Sequence, residues 1–303
     1  IYLVWGSTYL AIGVAVQGLP PLAMGGLRFL VGGTLLYGVL RVAGQPRPRR
    51  RDWTRPALAG LFMLLGTGGI VAWAEQRVPT SLAAILMATV PLWMVILHWV
   101  GFGGPAPTRR VGFGLLLGVA GVAALCAPAV SRFDAGRVAI LAAAPPLWCL
   151  GVLVSRGQPD RVSPAMTMAQ QMLVGSLGLT AAAALRGELR LAPFLDAPAT
   201  AWAAALYLLL VGSLGAFCAY AWLLRRVSPA ALSTHAFVNP LVAVALGHLV
   251  LGETLTASAL GGGAAVERFV PGSARAGFSG AQAAVRMPRK RIEAGTSLGI
   301  RIV

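Results

Sequence analysis

Charged side chains are scarce in this chain, at 11% of its 303 residues, whereas soluble domains carry roughly 25%. Acidic residues are the rarest, with 9 Asp and Glu against 25 Lys and Arg, and the one lysine is Lys290. This composition cannot cover a water-facing surface, which excludes an ordinary soluble domain. The net charge of +16 comes mainly from arginines at the ends of apolar segments, a pattern typical of membrane topology rather than nucleic-acid binding.

Cysteine and histidine are also scarce, with 3 of each. Cys126, Cys149 and Cys218 lie in apolar segments without CxxC spacing, which indicates packing and no metal site. The chain has no HExxH, GxSxG or GxxxxGK(S/T) pattern, so we expect no enzyme, no cofactor and no direct use of ATP. An intramembrane enzyme is the alternative from another class.

What the chain has in abundance is apolar sequence, at 57% hydrophobic residues and a mean hydropathy of +0.76. Apolar stretches of about 20 residues, each long enough to cross a bilayer, fill nearly all of it. We predict nine spans. They are residues 1–18, 22–40, 56–74, 80–102, 111–129, 138–155, 164–185, 201–223 and 230–250.

The second half of the chain repeats the first. Residues 53–103 return as 202–252 with a constant shift, and an upstream stretch returns with a shift six residues shorter. The repeated pairs are Trp53 with Trp202, Gly66 with Gly215, Trp73 with Trp222, Pro91 with Pro240, Trp5 with Trp148, and Pro21 with Pro164. Internal repeats of membrane helices are typical of secondary transporters.

Five predicted spans in the first half force the second half to enter the membrane upside down, so we expect an all-α polytopic membrane protein of two inverted five-helix repeats. With the N-terminus in the cytoplasm, twelve loop arginines lie inside and five outside, which agrees with the positive-inside rule. The inner ones are Arg41, Arg47, Arg49, Arg50, Arg51, Arg55, Arg109, Arg110, Arg156, Arg161, Arg225 and Arg226; the outer ones are Arg77, Arg132, Arg137, Arg186 and Arg190.

The repeat predicts a tenth span near residues 260–278, but the match stops at Val266 and a polar stretch follows. The predicted domains are residues 1–130 (repeat one), residues 138–266 (repeat two, four helices and the start of a fifth) and residues 267–303 (a basic tail). The tail reflects either a reading-frame shift near Val266 or a disordered segment. Since the chain does not begin with Met, we also expect a clipped first helix.

Short motifs in order along the chain resemble one family. They are Trp5-Gly6-Ser7-Thr8-Tyr9, Leu27-Arg28-Phe29, Ala74-Glu75-Gln76-Arg77-Val78-Pro79, Ala88-Thr89-Val90-Pro91-Leu92, Val227-Ser228-Pro229-Ala230, Val238-Asn239-Pro240-Leu241-Val242-Ala243-Val244 and Leu251-Gly252-Glu253-Thr254-Leu255. Over residues 1–266 the chain is similar to EamA-domain transporters of the drug/metabolite transporter superfamily, and within it to the bacterial inner-membrane branch of YedA-type permeases.

This resemblance implies ten helices, alternating access around a central cavity, and a role as an exporter or permease of amino acids or other small metabolites. The partners it implies are a small-molecule substrate and the lipid bilayer, with no nucleic acid. The protein is expected as a monomer or homodimer in the bacterial inner membrane. The departure at the tenth helix leaves a non-functional or truncated family product as an alternative.

Polar residues deep in spans are candidate substrate ligands, because a polar group in hydrocarbon needs a partner or a water-filled cavity. Asn239 precedes Pro240, which frees backbone carbonyls; its amide either binds substrate or caps that turn. His235 lies on the same helical face and either binds substrate, relays a proton or packs. Pro91 and Pro240 are predicted to form paired kinks.

Two charged residues are further candidates. Arg28 suits a carboxylate, with snorkelling to the interface as the alternative, and Gln171 is its counterpart in the other repeat. Glu75 either binds a substrate amine, carries a coupling proton or pairs with Arg77 at the interface. Aromatic cavity walls are the other prediction, with membrane-belt or packing roles as the alternative. These residues are Trp5, Tyr9, Trp93, Trp148, Tyr220 and Trp222.

Overall fold

The computed structural model describes residues 1–104, 106–109, 112–113, 134–156, 161–223 and 235–251, with backbone only at 221, 222, 235–237, 240 and 251. Helices make up nearly all of this part of the chain. They are α1 (Tyr2–Ala15), α2 (Pro21–Val42), α3 (Arg50–Ala74), α4 (Thr80–Gly101), α5 (Ala135–Ser155), α6 (Pro164–Leu185), α7 (Ala192–Leu195), α8 (Ala199–Leu223) and α9 (His235–Leu251).

The helices agree with the predicted membrane architecture. Long helices occupy eight of the nine predicted spans, and six of those described are long and apolar enough to cross a bilayer. Their exposed side chains include Leu35, Val39, Leu177 and Leu206, which are suited to lipid contact. Nearly all of the predicted span at 111–129, the tenth span and the tail at 267–303 lie outside the described residues.

Helices α2 and α6 form a tight antiparallel pair. A methyl group at Gly26 would lie 3.3 Å from the Thr180 backbone nitrogen, and one at Gly33 would lie 3.0 Å from that of Leu173. The contact partner thus shifts seven residues towards the start of α6 when the position in α2 shifts seven residues towards its end. These helices begin at the repeat partners Pro21 and Pro164, so their antiparallel contact is the relation that an inverted repeat requires.

Side-chain hydrogen bonds connect α2 and α6 at each end of the pair. At the start of α2, Glu188 Oε2 accepts hydrogen bonds from the backbone N–H groups of Leu22 (2.8 Å) and Ala23 (3.2 Å). At the other end, Ser163 Oγ donates to Gln45 Oε1 at 2.5 Å and also accepts from the Met166 N–H, which caps α6. The repeats are therefore joined at both ends of the pair.

Glu188 replaces a local N-cap, because Pro20 and Pro21 at the start of α2 offer no side-chain acceptor. We expect Glu188→Ala to lower the stability of the purified protein by about 1 kcal/mol, since two helix N–H groups lose their acceptor. Glu188→Gln keeps one acceptor oxygen and should lose less. The measurement is the melting temperature in detergent; equal values for Glu188→Ala and the unchanged protein would contradict the assignment.

Four helices depart from regular α geometry at mid-length. Wide π-helical turns occur at Leu61–Gly68 in α3 and at Leu208–Gly215 in α8, its counterpart in the second repeat. Helix α4 breaks at residues 88–89, just before Pro91, and α5 breaks at residues 142–143, before Pro145 and Pro146. Helix α9 runs without a break through position 240, so the pairing of Pro91 and Pro240 as kinks stays a prediction.

Candidate functional site

A cavity of about 150 Å³ lies where these irregular turns meet. Residues from the middle of α3, α4, α5 and α8 line it, together with α1, α2 and α9, so both halves of the chain contribute walls. Gly68 and Gly212 come from the two π-helical turns, and Met87 and Val90 flank the break in α4. The cavity is therefore built from the places where the helices are irregular, a common association for π-helical turns and functional sites.

Aromatic rings form one side of the cavity. Trp5 of α1 and its repeat partner Trp148 of α5 meet edge to face, with ring centroids 6.3 Å apart. Trp5 also contacts the rings of Phe217, at 6.0 Å, and Tyr220, at 5.3 Å. Phe217 lines the cavity, whereas Tyr220 lies behind Trp5 and is not among the lining residues.

Hydroxyl groups supply much of the polar lining. Thr67 Oγ1 lies 2.9 Å from the Ala144 carbonyl oxygen and donates to it beside the break in α5. Thr8 Oγ1 donates to the Trp5 carbonyl at 2.6 Å. Tyr9 and Ser213 also line the cavity. Thr8, Thr67 and Ser213 were not predicted as ligands, because Ser and Thr in a helix bond their own backbone and give no distinct pattern.

Two predicted ligands, Arg28 and Asn239, face the cavity together with Trp5 and Tyr9. Asn239 is 8% exposed. Its backbone lies close to α1, since a methyl group at Gly6 would lie 3.1 Å from the Asn239 carbonyl oxygen. Arg28 lies about one third of the way along α2, and its guanidinium carbon is 4.1 Å from the Phe29 ring centroid. The structure thus brings residues from three separate helices to one site.

The other predicted ligands lie elsewhere. Glu75, just after the end of α3, is 4% exposed and is not among the cavity-lining residues. Gln171 donates to Ser155 Oγ at 2.7 Å and thereby links α6 to α5. Trp93 is half-buried in α4, away from the lining. The side chains of His235, Pro240 and Trp222 lie outside the described residues.

Metal binding finds no support in the described part of the chain, where no three His, Cys, Asp or Glu side chains cluster as a metal site would require. The cavity offers aromatic walls, neutral hydrogen-bonding groups and one guanidinium. Such a lining suits reversible binding of a small amphiphilic molecule. Its volume lies below the roughly 300–1,000 Å³ of pockets for drug-sized ligands, which favours a compact metabolite.

The chain matches the model of the EamA-like transporter family twice, over residues 1–127 and 136–266. It is 37% identical over 263 residues to the inner membrane transporter YedA of Escherichia coli (strain K12), covering 84% of this chain and 82% of that protein. It is 27% identical over 265 residues to a protein of Streptantibioticus cattleyicolor named as a probable terminal-alkyne amino-acid exporter, covering 86% of each chain.

A solved crystal structure has the same fold. It superposes with a TM-score of 0.62 at 19% sequence identity and covers 90% of this chain and 92% of its own.

Proposed function

Since the chain belongs to the EamA-like transporter family, we propose that this multi-pass membrane protein is a secondary transporter that exports a small metabolite such as an amino acid. The observation that carries the proposal is the mid-depth cavity shared by both halves of the chain. Transporters of inverted repeats bind substrate near the midplane, at the interface between repeats and beside discontinuous helices. The breaks in α4 and α5 are such discontinuities.

Alternating access follows from this arrangement. The glycine-packed pair of α2 and α6 joins the repeats over its whole length, while α4 and α5 are interrupted at the level of the cavity. We propose that these interrupted helices bend to open the cavity to one side of the membrane and then to the other. The expected location is the bacterial inner membrane with the N-terminus in the cytoplasm, because that orientation places most loop arginines inside.

Within the site, we propose that Asn239, Arg28, Tyr9 and Trp5 contact the substrate, and that Tyr220 supports the Trp5 ring. Glu75 has a supporting role outside the lining. Gln171 and Trp93 have supporting roles in helix packing, and His235 remains a proposed ligand from the same helix as Asn239. The relative named for amino-acid export and the compact cavity support a substrate of amino-acid size.

The test is an extracellular metabolite profile of cells that overproduce the protein. We expect one or a few small metabolites to accumulate outside these cells relative to cells with an empty vector. Asn239→Ala should reduce the accumulation by about tenfold, because one buried amide contact to a polar substrate is worth about 1–1.5 kcal/mol. The matched control is Gln17→Ala, which removes an exposed side-chain amide just after the end of α1 and away from the cavity lining. Equal profiles for all strains would count against export.

A further inference from the structure

Arg28 is the one cationic side chain among the described residues that line the cavity. Arg28 lies six residues after Leu22, about 9 Å further along the axis of α2. Its Nε atom is buried and has no hydrogen-bond partner among the described residues. The Phe29 ring covers one face of the guanidinium at 4.1 Å. None of the ion pairs within the described ranges includes Arg28.

The cavity around Arg28 offers no carboxylate to balance this charge. Its described lining residues include no Asp or Glu, and the polar ones besides Arg28 are neutral. A guanidinium away from water is costly unless an anion pairs with it. The cavity is therefore electropositive at Arg28, and an anionic guest would pair with its guanidinium.

The shape of the guanidinium defines the guest more closely. A ring stacked on one face occupies that face and leaves the N–H groups at the edges, which point in the guanidinium plane. A carboxylate is planar and accepts two such N–H groups side by side. The apolar walls formed by Trp5, Trp148 and Phe217 suit a hydrocarbon portion of the same molecule.

Among the described residues that line the cavity, none is an acidic partner for an amino group. The one acidic residue that the sequence predicts for such a role, Glu75, is not among the residues that line the cavity. An amine reaching the site meets only neutral oxygens together with the repulsion of Arg28. The electrostatics of the site thus favour one end of an amino acid over the other.

We propose that the cavity selects small carboxylates through Arg28, and that the amino group of an amino acid is dispensable for binding. The proposal rests on the transport function proposed for the same cavity and narrows its substrate class. Simple carboxylic acids and amino acids with a short apolar chain are guests, and amines that lack a carboxylate are excluded.

Three molecules with the same hydrocarbon chain test the carboxylate and the amino group separately. They are 4-methylpentanoate, with a carboxylate only; leucine, with both groups; and 3-methylbutylamine, with an amine only. Binding to the purified full chain in detergent is measured at pH 7 from the rise in melting temperature with ligand concentration. We expect the two carboxylates to bind within about tenfold of each other and the amine to bind at least about tenfold more weakly.

The matching variants test the contribution of the Arg28 charge. Arg28→Gln should weaken binding of 4-methylpentanoate at least about tenfold, and Arg28→Lys should recover part of the loss. The control variant Arg41→Gln, in the exposed last turn of the same helix, should bind this acid as tightly as the unchanged protein does. If Arg28→Gln does not fold, the three ligands on the unchanged protein still decide. An amine that binds as tightly as the acids, or acids that do not bind, would overturn the proposal.

Metabolite efflux from cells tests the transport function independently of the carboxylate selectivity. Metabolite efflux by a protein that does not bind the acids would overturn carboxylate selectivity and leave transport standing. Acid binding that depends on Arg28, in a protein that produces no efflux, would support the site and contradict export.

Discussion

Gly68→Phe should abolish transport while leaving the protein folded. Gly68 lines the cavity at the end of the π-helical turn of α3, and a methyl group there would lie 3.7 Å from the Met63 carbonyl oxygen and 3.9 Å from Phe29 Cε2. Both are ordinary contacts, so the new side chain enters the cavity without displacing backbone. A phenyl ring takes up most of a space of about 150 Å³, which leaves no room for a substrate.

The expected loss of transport is at least about tenfold, equivalent to about 1.4 kcal/mol of lost binding, and the melting temperature should hold or rise because a void is filled. Gly38→Phe is the matched control, since a methyl group at Gly38 meets no atom within 4 Å. Rates are compared as efflux from cells with equal amounts of protein in the membrane. Wild-type efflux by a well-folded Gly68→Phe protein would show that the substrate passes elsewhere.

Gly60→Ala should destabilise the protein although alanine favours helix. A methyl group at Gly60 of α3 would run into the backbone carbonyl group of Gln171 in α6, and its carbonyl carbon would lie 3.1 Å away. Backbone cannot rotate aside as a side chain can, so the two helices must separate. Overpacking of this kind costs about 1–3 kcal/mol, which exceeds the gain of about 1 kcal/mol from replacing a helical glycine.

Gly38→Ala makes the same chemical change where space is open, so it should leave the melting temperature unchanged or raise it. Thermal unfolding of both variants in one detergent gives the comparison. A Gly60→Ala protein at least as stable as Gly38→Ala would mean that α3 and α6 are not packed as closely as the structure shows.

Helix positions and family were predictable from the sequence because they rest on strong physical signals. Apolar runs of bilayer length locate helices such as α2 and α6, and the repeated Trp, Pro and Gly residues identify the duplication. In the repeat pair Pro21 and Pro164, each proline is the first residue of its helix. The contact between the repeat partners Trp5 and Trp148 shows that the duplication also shapes the cavity.

The details of the site were less predictable, because they depend on where helices are irregular. The π-helical turn that presents Gly68 and Thr67 arises from packing among helices, and local propensity gives no sign of it. The break in α5 was signalled by Pro145 and Pro146, which lack the N–H groups that a helix needs there, but the sequence analysis did not use them. Glu75 satisfied the rule for a buried polar candidate, yet it is not among the residues that line the cavity.

Counterflow in vesicles tests the central claim, that this chain alone carries a small metabolite across a membrane through the cavity. Purified protein is placed in vesicles preloaded with the unlabelled metabolite found in the efflux profile, and a trace of the labelled compound is added outside, without ATP. We predict that label accumulates inside transiently with the unchanged protein and does not with Gly68→Phe. Label that enters no faster than into protein-free vesicles would contradict the account.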